Sequence, residues 1–505
     1  MSAAAGGLLA VNARDPEEVR VARIAEGRIQ DLRWARADRA TQVGNLYLAE
    51  VRQVEPGLDA AFVDYGGGRS GFLHLGNVHP GYADREADPF TIASSPAAAA
   101  AVLAGEEPGT EEPPPSGIAS LLQPGRRLLV QVLRDPVRGK GATLTTFVSL
   151  AGRLLVLMPS LGRVGVSRRI GDEAERRRLR DSVAASGAPQ GLGVIARTAA
   201  AGARRRDLQR DLDHLLETWR RVGEEVAKAS TPGPVWTELA PEVRAVRDLG
   251  AGPDDRILVD SAAAAERIGS FLSAYLPEGC PRIEVHDRRR PLFESLDIER
   301  DYQLLFRPRV PVGNGASIVI HETEALTAID VNSGRIDKGS LELTALEANK
   351  LAAAEIARQI RLRDLGGILV VDFIDMTEAA HRREVESWFR GCLKADRARY
   401  KAGRLGAFGL MALTRRRLGT GLPRASETPC PDCGGSGTRI QHRAGALRAL
   451  RRLRALEAGR PWRLRAHPGV VAELRAHHGA ALAGLPVALS LEADPALPPG
   501  DPVLK

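Results

Sequence analysis

The sequence predicts a multidomain α+β protein, and three observations carry that expectation. A chain of 505 residues is longer than one hydrophobic core serves, so three or four domains are expected. Residues 44–76 and 124–149 break into short alternating strands separated by glycine turns. Residues 316–373 read differently: two strands, a long helix and a fully apolar strand, the order of a crossover unit.

Each element follows from local pattern. The stretch GNLYLAEVRQVEPGLDAAFVDYGGGRSGFLHLG (44–76) is punctuated by Pro56-Gly57 and Gly66-Gly67-Gly68, and PGRRLLVQVLRDPVRGKGATLTTFVS (124–149) continues in the same style. Together they fit a small OB-type barrel. Between them, 79–119 is rich in Ala, Pro, Glu and Gly, which predicts a flexible insertion at a barrel loop with disorder around 94–116. Residues 172–228 are helical in pattern and heavily charged, with a break at 185–206 that holds the β-like piece GLGVIARTAA. A strand and then a helix are expected over 256–276, and two strands joined by a turn in ASIVIHETEALTAIDV (316–331). The helix at 341–363 keeps one apolar face through Ala353, Ile356, Ala357 and Ile360 and stops at Gly366-Gly367. ILVVDF (368–373) reads as a buried strand. A helix is expected at 377–390 with Asp375 as its cap, and 438–505 reads as an Arg-rich helix and a small α/β tail. No fixed-period repeat is present.

Composition sets the limits. Aromatics make up only 4% of the chain, so the cores rest on Leu, Val, Ile and Ala. The net charge of +8 favours a polyanionic partner, although an Arg-rich bias throughout the chain gives the same figure without one. Four cysteines do not make a disulfide framework: Cys280 and Cys392 stand alone and are expected as buried thiols, while Cys430 and Cys433 form a CxxC pair. The N-terminus lacks a basic region and a long apolar core, and no apolar run reaches the length of a membrane span. A cytoplasmic protein without a membrane span is therefore expected.

Asp330 and Asp372 are the leading candidates for chemistry. Each ends an apolar strand, in LTAIDVN and ILVVDF, and two carboxylates on neighbouring strands linked by a helix can converge on one Mg²⁺. Asn332 follows Asp330 by two residues, so on an extended chain it points the same way. The plainer reading is that both Asp residues only start turns or cap helices. Phe62 and Phe72, with Tyr65 nearby, lie in barrel strands and can stack bases, or can simply be core. Lys140, in the RGKG turn, can meet a phosphate. Arg197 and Thr198 together can fork onto a terminal phosphate, although an Arg-Thr pair alone is usually just surface. Cys430 and Cys433, in CPDCGGSG, are half of a tetrahedral Zn²⁺ site. No nearby histidine has finger spacing, His442 being a weak candidate, so the other half comes most simply from a second copy across a two-fold axis.

Several of these segments carry a resemblance. EALTAIDVNSGR, RQIRLRDLGGILVVDFIDM and KADRARY, with AAFVDYG, GFLHL, GKGATLTTFVSLAG, GVIARTAA and CPDCGGSG, resemble the ribonuclease E/G family in order and over most of the chain. Within it, the chain resembles the short ribonuclease G-like members, since it ends about 70 residues past CPDCGGSG with no long Pro/Arg/acidic tail.

The resemblance implies a Mg²⁺-dependent endoribonuclease that hydrolyses single-stranded RNA, ribosomal RNA precursors and mRNA among it, to 5′-phosphate and 3′-hydroxyl ends. It makes Asp330 and Asp372 the Mg²⁺ ligands, with Asn332 supporting the attacked phosphate or the water. It points to Phe62, Phe72 and Lys140 as RNA contacts. Arg197, Thr198, Val156 and Arg399 become a pocket favouring a 5′-monophosphate over a triphosphate. Cys430 and Cys433 become a zinc link between protomers of a dimer or a dimer of dimers.

For architecture, the resemblance implies a ribonuclease H-like domain split between 1–41 and 241–306 and an OB-fold barrel at 42–147 carrying an insertion at 84–118. A 5′-sensor region at 148–240, a DNase I-like catalytic domain at 307–427, the zinc link at 428–437 and a small domain at 438–505 complete it. One departure is local: where the family often has NLEAA on the crossover helix, this chain reads Asn349-Lys350-Leu351-Ala352-Ala353, which touches only fine geometry. The competing expectations are a non-catalytic RNA-binding protein using the barrel and basic tail, and a DNA-acting nuclease or zinc-ribbon transcription factor.

Overall fold

Short runs of alternating residues, each with one apolar face, assemble into five sheets among the described residues of the computed structural model. The structure describes residues 7–39, 41–97, 117–136, 140–187, 189, 191–334, 336, 339–419, 421–428, 430, 433, 435, 437–456 and 461–505. Of the expected flexible insertion at 79–119, residues 98–116 lie outside the described residues, while 79–97 is folded instead, because Tyr82 and Ile92 bury themselves in the barrel's core. The chain divides into two compact units, Met1–Leu422 and Pro423–Lys505.

Within the first unit, one five-stranded sheet unites strands far apart in sequence. Leu8–Asn12 sits at its centre, antiparallel to Glu18–Ala25 and parallel to Arg256–Val259. Arg28–Arg36 and Arg282–Val285 form its edges. The chain thus leaves this sheet after its edge strand Arg28–Arg36 and returns to it only at Arg256–Val259, on the other side of Leu8–Asn12. Cys280 precedes the edge strand Arg282–Val285 in a Gly-Cys-Pro turn and is exposed, contrary to the expectation of burial; a turn beside an edge strand offers no core to enter. Cys392 is half-buried, packed on the core of another sheet.

The barrel forms as predicted. Strands Leu46–Glu55, Ala60–Asp64, Gly71–His74, Thr143–Thr145 and Arg127–Arg134 pair in that spatial order, and the last pairs back on the first. Closure removes the sheet edges, which suits strands this short. Val51, Val63, Leu73, Val130 and Leu144 fill the interior, and Tyr65 joins them, edge-on to Tyr47. A four-stranded sheet follows, packed on the long helix Arg205–Lys228 through Leu154, Leu155, Leu157, Val194, Leu208 and Leu212.

The sheet that carries the Asp pair has the spatial order Arg309–Gly313, Ala316–Glu322, Leu326–Asn332, Gly367–Asp372, Leu410–Arg415, Tyr400–Leu405. Only Leu326–Asn332 and Gly367–Asp372 run parallel, and a parallel neighbour needs a long crossover. Helix Leu341–Leu362 supplies it, started by Ser340, whose Oγ accepts the Leu343 N–H at 3.1 Å. Its Ala345, Ala352, Ala353, Ile356, Ala357 and Ile360 pack against Ile318, Ile329, Leu369 and Val371. The alanines let the helix lie close, and each buried branched side chain contributes ~1.5–3 kcal/mol. The same helix reaches back to the first sheet through ions: buried Arg358 donates to both Asp301 carboxylate oxygens at 2.8 Å, to Glu355 at 2.7 Å and to the Ile29 carbonyl at 2.6 Å.

In the second unit, helix His442–Arg454 packs on helix Pro468–His477 beside a three-stranded sheet, giving the expected small α/β arrangement. No helix among the described residues is long and apolar enough to cross a membrane.

Candidate active site

Strand alternation sends every second residue of this six-stranded sheet away from the helices, and among the described residues nearly all side chains of that second face are exposed or half-exposed. Asp330 and Asp372 stand on it as direct register partners, both exposed. The row continues on both sides, from Val319 next to Asp330 to Leu410 next to Asp372. Adjacent strands lie ~4.8 Å apart, so the two carboxylates can share one small cation. Asn332 donates from Nδ2 to Asp330 Oδ2 at 2.6 Å, which fixes that carboxylate's rotamer. Gly334, at φ +62°, turns the chain just beyond; a Cβ there would lie 1.9 Å from the Gly315 carbonyl oxygen.

Partial burial, and then the charges of Asp330 and Asp375, raise the Asp372 pKa above the usual carboxylate value. Uncompensated negative charge at a set of hard oxygen donors is what a divalent cation relieves, and two carboxylates with water suffice for Mg²⁺. Among the described residues no third His, Cys, Asp or Glu completes a closed cage, so the donor set is the open kind that leaves positions for water and substrate.

Asp375 is not the expected helix cap. Helix Ala379–Leu393 begins later, Glu378 stands at its N-cap without a side-chain bond, and Asp375 instead adds its charge to the Asp pair. The capping is done from another helix. Glu342 accepts from Thr377 N at 2.9 Å, Thr377 Oγ1 at 2.7 Å and Glu378 N at 3.2 Å, and pairs with His381 Nδ1 at 2.7 Å. Its carboxyl is held down at about 2 by the Thr377 hydroxyl first and His381 next. Further along the same helix, fully buried Asn349 takes the Ile374 N–H at 2.9 Å and donates to the Ile374 carbonyl at 2.8 Å. One helix thus ties the segment after Asp372 at two points. Sequence reading missed both roles; a buried amide on an otherwise apolar helix face was the available signal.

The other candidate groups fall in two places. Phe62 and Phe72 are register partners on the outer side of the barrel, half-buried and edge-on to each other with centroids 6.1 Å apart. Lys140 is exposed, just before Ala142, whose carbonyl accepts the Phe72 N–H. Tyr65 belongs to the core, as described above.

Arg197 and Thr198 follow strand Gly193–Ala196, and Val156 pairs with Ile195 one strand away. The Arg197 guanidinium donates to the Gly152 carbonyl and to Asp248 at 3.1 Å. Burial pushes the Asp248 pKa upward, but Arg247 and Arg197 outweigh it and hold it at about 2. Thr198 Oγ1 lies 3.1 Å from Ser167 Oγ. Arg169, two residues on from Ser167, donates to the Asp396 carbonyl, which brings the KADRARY segment alongside. Arg399 is exposed there, and its carbonyl accepts the Arg416 N–H at 2.9 Å. Its neighbour Arg397 lies within electrostatic range of Arg197, Asp248 and Arg33 and pairs with Asp31 at 3.5 Å. Burial lowers the Arg397 pKa, and nothing in the sequence singled that residue out.

The sequence profile of the Ribonuclease E/G family matches residues 149–418, a span that holds both Asp residues and the Arg197 cluster. The chain is 36% identical to Ribonuclease G of Escherichia coli over 427 residues, 84% of this chain and 82% of that protein. The chain belongs to the ribonuclease E/G family. It is also 39% identical to Ribonuclease E of Haemophilus influenzae over 446 residues, which is 88% of this chain but 45% of that protein, and 38% identical to Ribonuclease E of Escherichia coli over 40% of its length. The chain therefore spans about half of the ribonuclease E relatives and most of the ribonuclease G relative.

The stretch expected to depart from the family pattern lies on the crossover helix. There Asn349 grips Ile374, while Lys350 faces outward to Glu384 at 2.8 Å and over the Trp388 ring. Cys430 is exposed and Cys433 half-exposed, and neither forms a disulfide. His442 stacks on His467 at 4.8 Å within the small unit.

Proposed function

We propose that this chain is a Mg²⁺-dependent endoribonuclease that hydrolyses single-stranded RNA and favours 5′-monophosphorylated substrates, acting on ribosomal RNA precursors and mRNA in the cytoplasm. The observation that carries it is the register pairing of Asp330 with Asp372, both exposed on one sheet face. These two carboxylates would hold the Mg²⁺, which when bound polarises the phosphodiester and lowers the pKa of a coordinated water. Asn332 keeps Asp330 oriented from one side, and in this reading its second amide hydrogen donates to a phosphate oxygen. Asn349 and Glu342 keep the chain beyond Asp372 from relaxing away from the charge it must carry. In-line attack by water with the 3′ oxygen leaving gives the 5′-phosphate and 3′-hydroxyl ends.

The other groups serve substrate choice and assembly. Phe62 and Phe72 give exposed ring surface on which bases stack with little sequence preference, and Lys140 adds a phosphate contact. Arg197 and Thr198, with Val156 on the next strand and Arg399 in the adjoining segment, form the 5′-end pocket; Arg197 has guanidinium donors beyond those used by Gly152 and Asp248. Cys430 and Cys433 supply two thiolates to a Zn²⁺ completed by a second copy, in a dimer or dimer of dimers. The ribonuclease H-like and DNase I-like designations of the first and the six-stranded sheets belong to this same reading.

The test is direct. Purified protein with Mg²⁺ is incubated with 5′-monophosphorylated RNA and with DNA of the same sequence. RNA should be cut and DNA spared. Asp330→Asn and Asp372→Asn should each lose cleavage by several orders of magnitude while binding RNA nearly as before. Near-normal cleavage by either variant would refute the assignment.

A further inference from the structure

Phe408 is 84% exposed, an unusual position for a large apolar ring, and it stands at the turn next to the Asp pair. The turn, Gly406 to Gly409, joins strands Tyr400–Leu405 and Leu410–Arg415. Leu410 is the register partner of Asp372 on the open face and is itself 44% exposed. Apolar surface therefore begins one strand spacing, ~4.8 Å, from the carboxylate that would hold the metal.

The turn is held in place rather than swinging free. Phe373 N–H donates to the Gly409 carbonyl at 3.0 Å, and Gly406 N–H to the Leu410 carbonyl at 2.9 Å. Gly409 has φ +70°, and a Cβ on it would lie 2.5 Å from the Phe373 carbonyl oxygen and 3.2 Å from Asp375 Oδ1. Only glycine permits this approach, so the turn is docked on the residues that immediately follow Asp372. Beside these carboxylates, the adjoining strand offers cations for a polyanion: Lys401 and Arg404 are exposed, and among the described residues neither is in an ion pair.

We propose that Phe408, with Leu410 beneath the same site, is a base-stacking platform for the nucleotide next to the cleaved phosphodiester of single-stranded RNA. The inference rests on the endoribonuclease reading but concerns a residue that reading does not use. A phosphodiester held at Asp330 and Asp372 leaves its flanking base over Leu410 and the turn. There a rigid aromatic face offers stacking with little sequence preference and shields the reacting phosphate from bulk water on that side. Lys401 and Arg404 meet the next phosphate.

The experiment uses full-length protein and single-stranded RNA oligomers carrying 2-aminopurine at each position in turn. Binding without divalent ions is read as fluorescence quenching, and cleavage with Mg²⁺ as kcat/KM. Wild type should quench strongly at one position beside the mapped cut and at separate positions served by Phe62 and Phe72. Phe408→Ala should lose the first signal alone and lower kcat/KM roughly 5–150-fold, the factor one stacked base commands. Phe408→Trp should restore both. Because the ring is exposed, neither variant should disturb folding, which circular dichroism checks. Unchanged quenching and kcat/KM in Phe408→Ala would overturn the proposal. So would a smaller assembly by light scattering with RNA quenching intact, since the ring would then serve a second copy. If wild type quenches but does not cut RNA, the endoribonuclease reading fails while the stacking result still stands or falls by itself.

Discussion

Replacing Asn349 with leucine should loosen the segment after Asp372 and slow cleavage, although Asn349 touches no substrate. Its side chain is fully buried and brackets one residue's backbone, accepting from Ile374 N–H at 2.9 Å and donating to the Ile374 carbonyl at 2.8 Å. Leucine has nearly the same size, so packing on the sheet is kept while both bonds are lost. Each stranded backbone group costs ~1–3 kcal/mol. Ile374 is only half-buried and water can reach part of it, so the low end applies and the total is about 2–3 kcal/mol. At ~1.4 kcal/mol per decade this makes local opening of 373–377 roughly 30–150 times more frequent. Hydrogen–deuterium exchange on the peptide spanning Asp372 to Thr377 reads that directly, beside a cleavage assay at saturating Mg²⁺. Wild-type exchange in this peptide together with wild-type cleavage in Asn349→Leu would show that the helix does not position the site.

Three further outcomes are expected. Arg197→Ala should lower activity on 5′-monophosphorylated RNA to the level seen on 5′-hydroxyl RNA and leave the latter unchanged; equal losses on both would make Arg197 structural, through Gly152 and Asp248. Zn²⁺ should be present at about one ion per two chains, and Cys430→Ser with Cys433→Ser should give smaller species by light scattering; one zinc per chain, or an assembly of unchanged size, would rule out sharing. His381 should make stability pH-dependent. Glu342 raises the His381 pKa above its usual value, so the pair stabilises fully below about pH 6.5 and loses effect as pH rises through the raised value. On the acid side Glu342, held at about 2 by Thr377 and His381, loses its contribution as pH falls from the ordinary carboxylate value of 4.5 towards 2. The difference in urea midpoint between wild type and His381→Asn should be larger near about pH 5.5 than near about pH 8.5, and a pH-independent difference would count against the clamp.

Much of the site is written locally. Asp330 and Asp372 are legible because each ends a run whose alternation already says which face is buried, and the helix between them must cross over if the two strands are parallel. The barrel is legible for the same reason: short strands with glycine turns have few ways to bury one face without leaving edges. The Arg197-Thr198 pair needed the family resemblance, since two residues side by side carry almost no information alone, whereas the CxxC spacing suggested half a zinc site by itself.

Other features depend on contacts between segments remote in the chain, and no local pattern encodes them. Asp375 reads as a cap because Asp before a helix usually is one; the actual cap, Glu342, comes from a helix more than thirty residues away and satisfies the same N–H groups first. Arg397 gained its place beside Arg197 only when the four-stranded sheet met the KADRARY segment. Cys280 looked like a core thiol by type, but an edge-strand turn left it outside. The sequence by itself determined the strands, their buried faces and the acidic pair. Tertiary structure decided which polar groups find each other, because a buried donor must be satisfied by whatever the fold brings within 3 Å, whatever its distance along the chain.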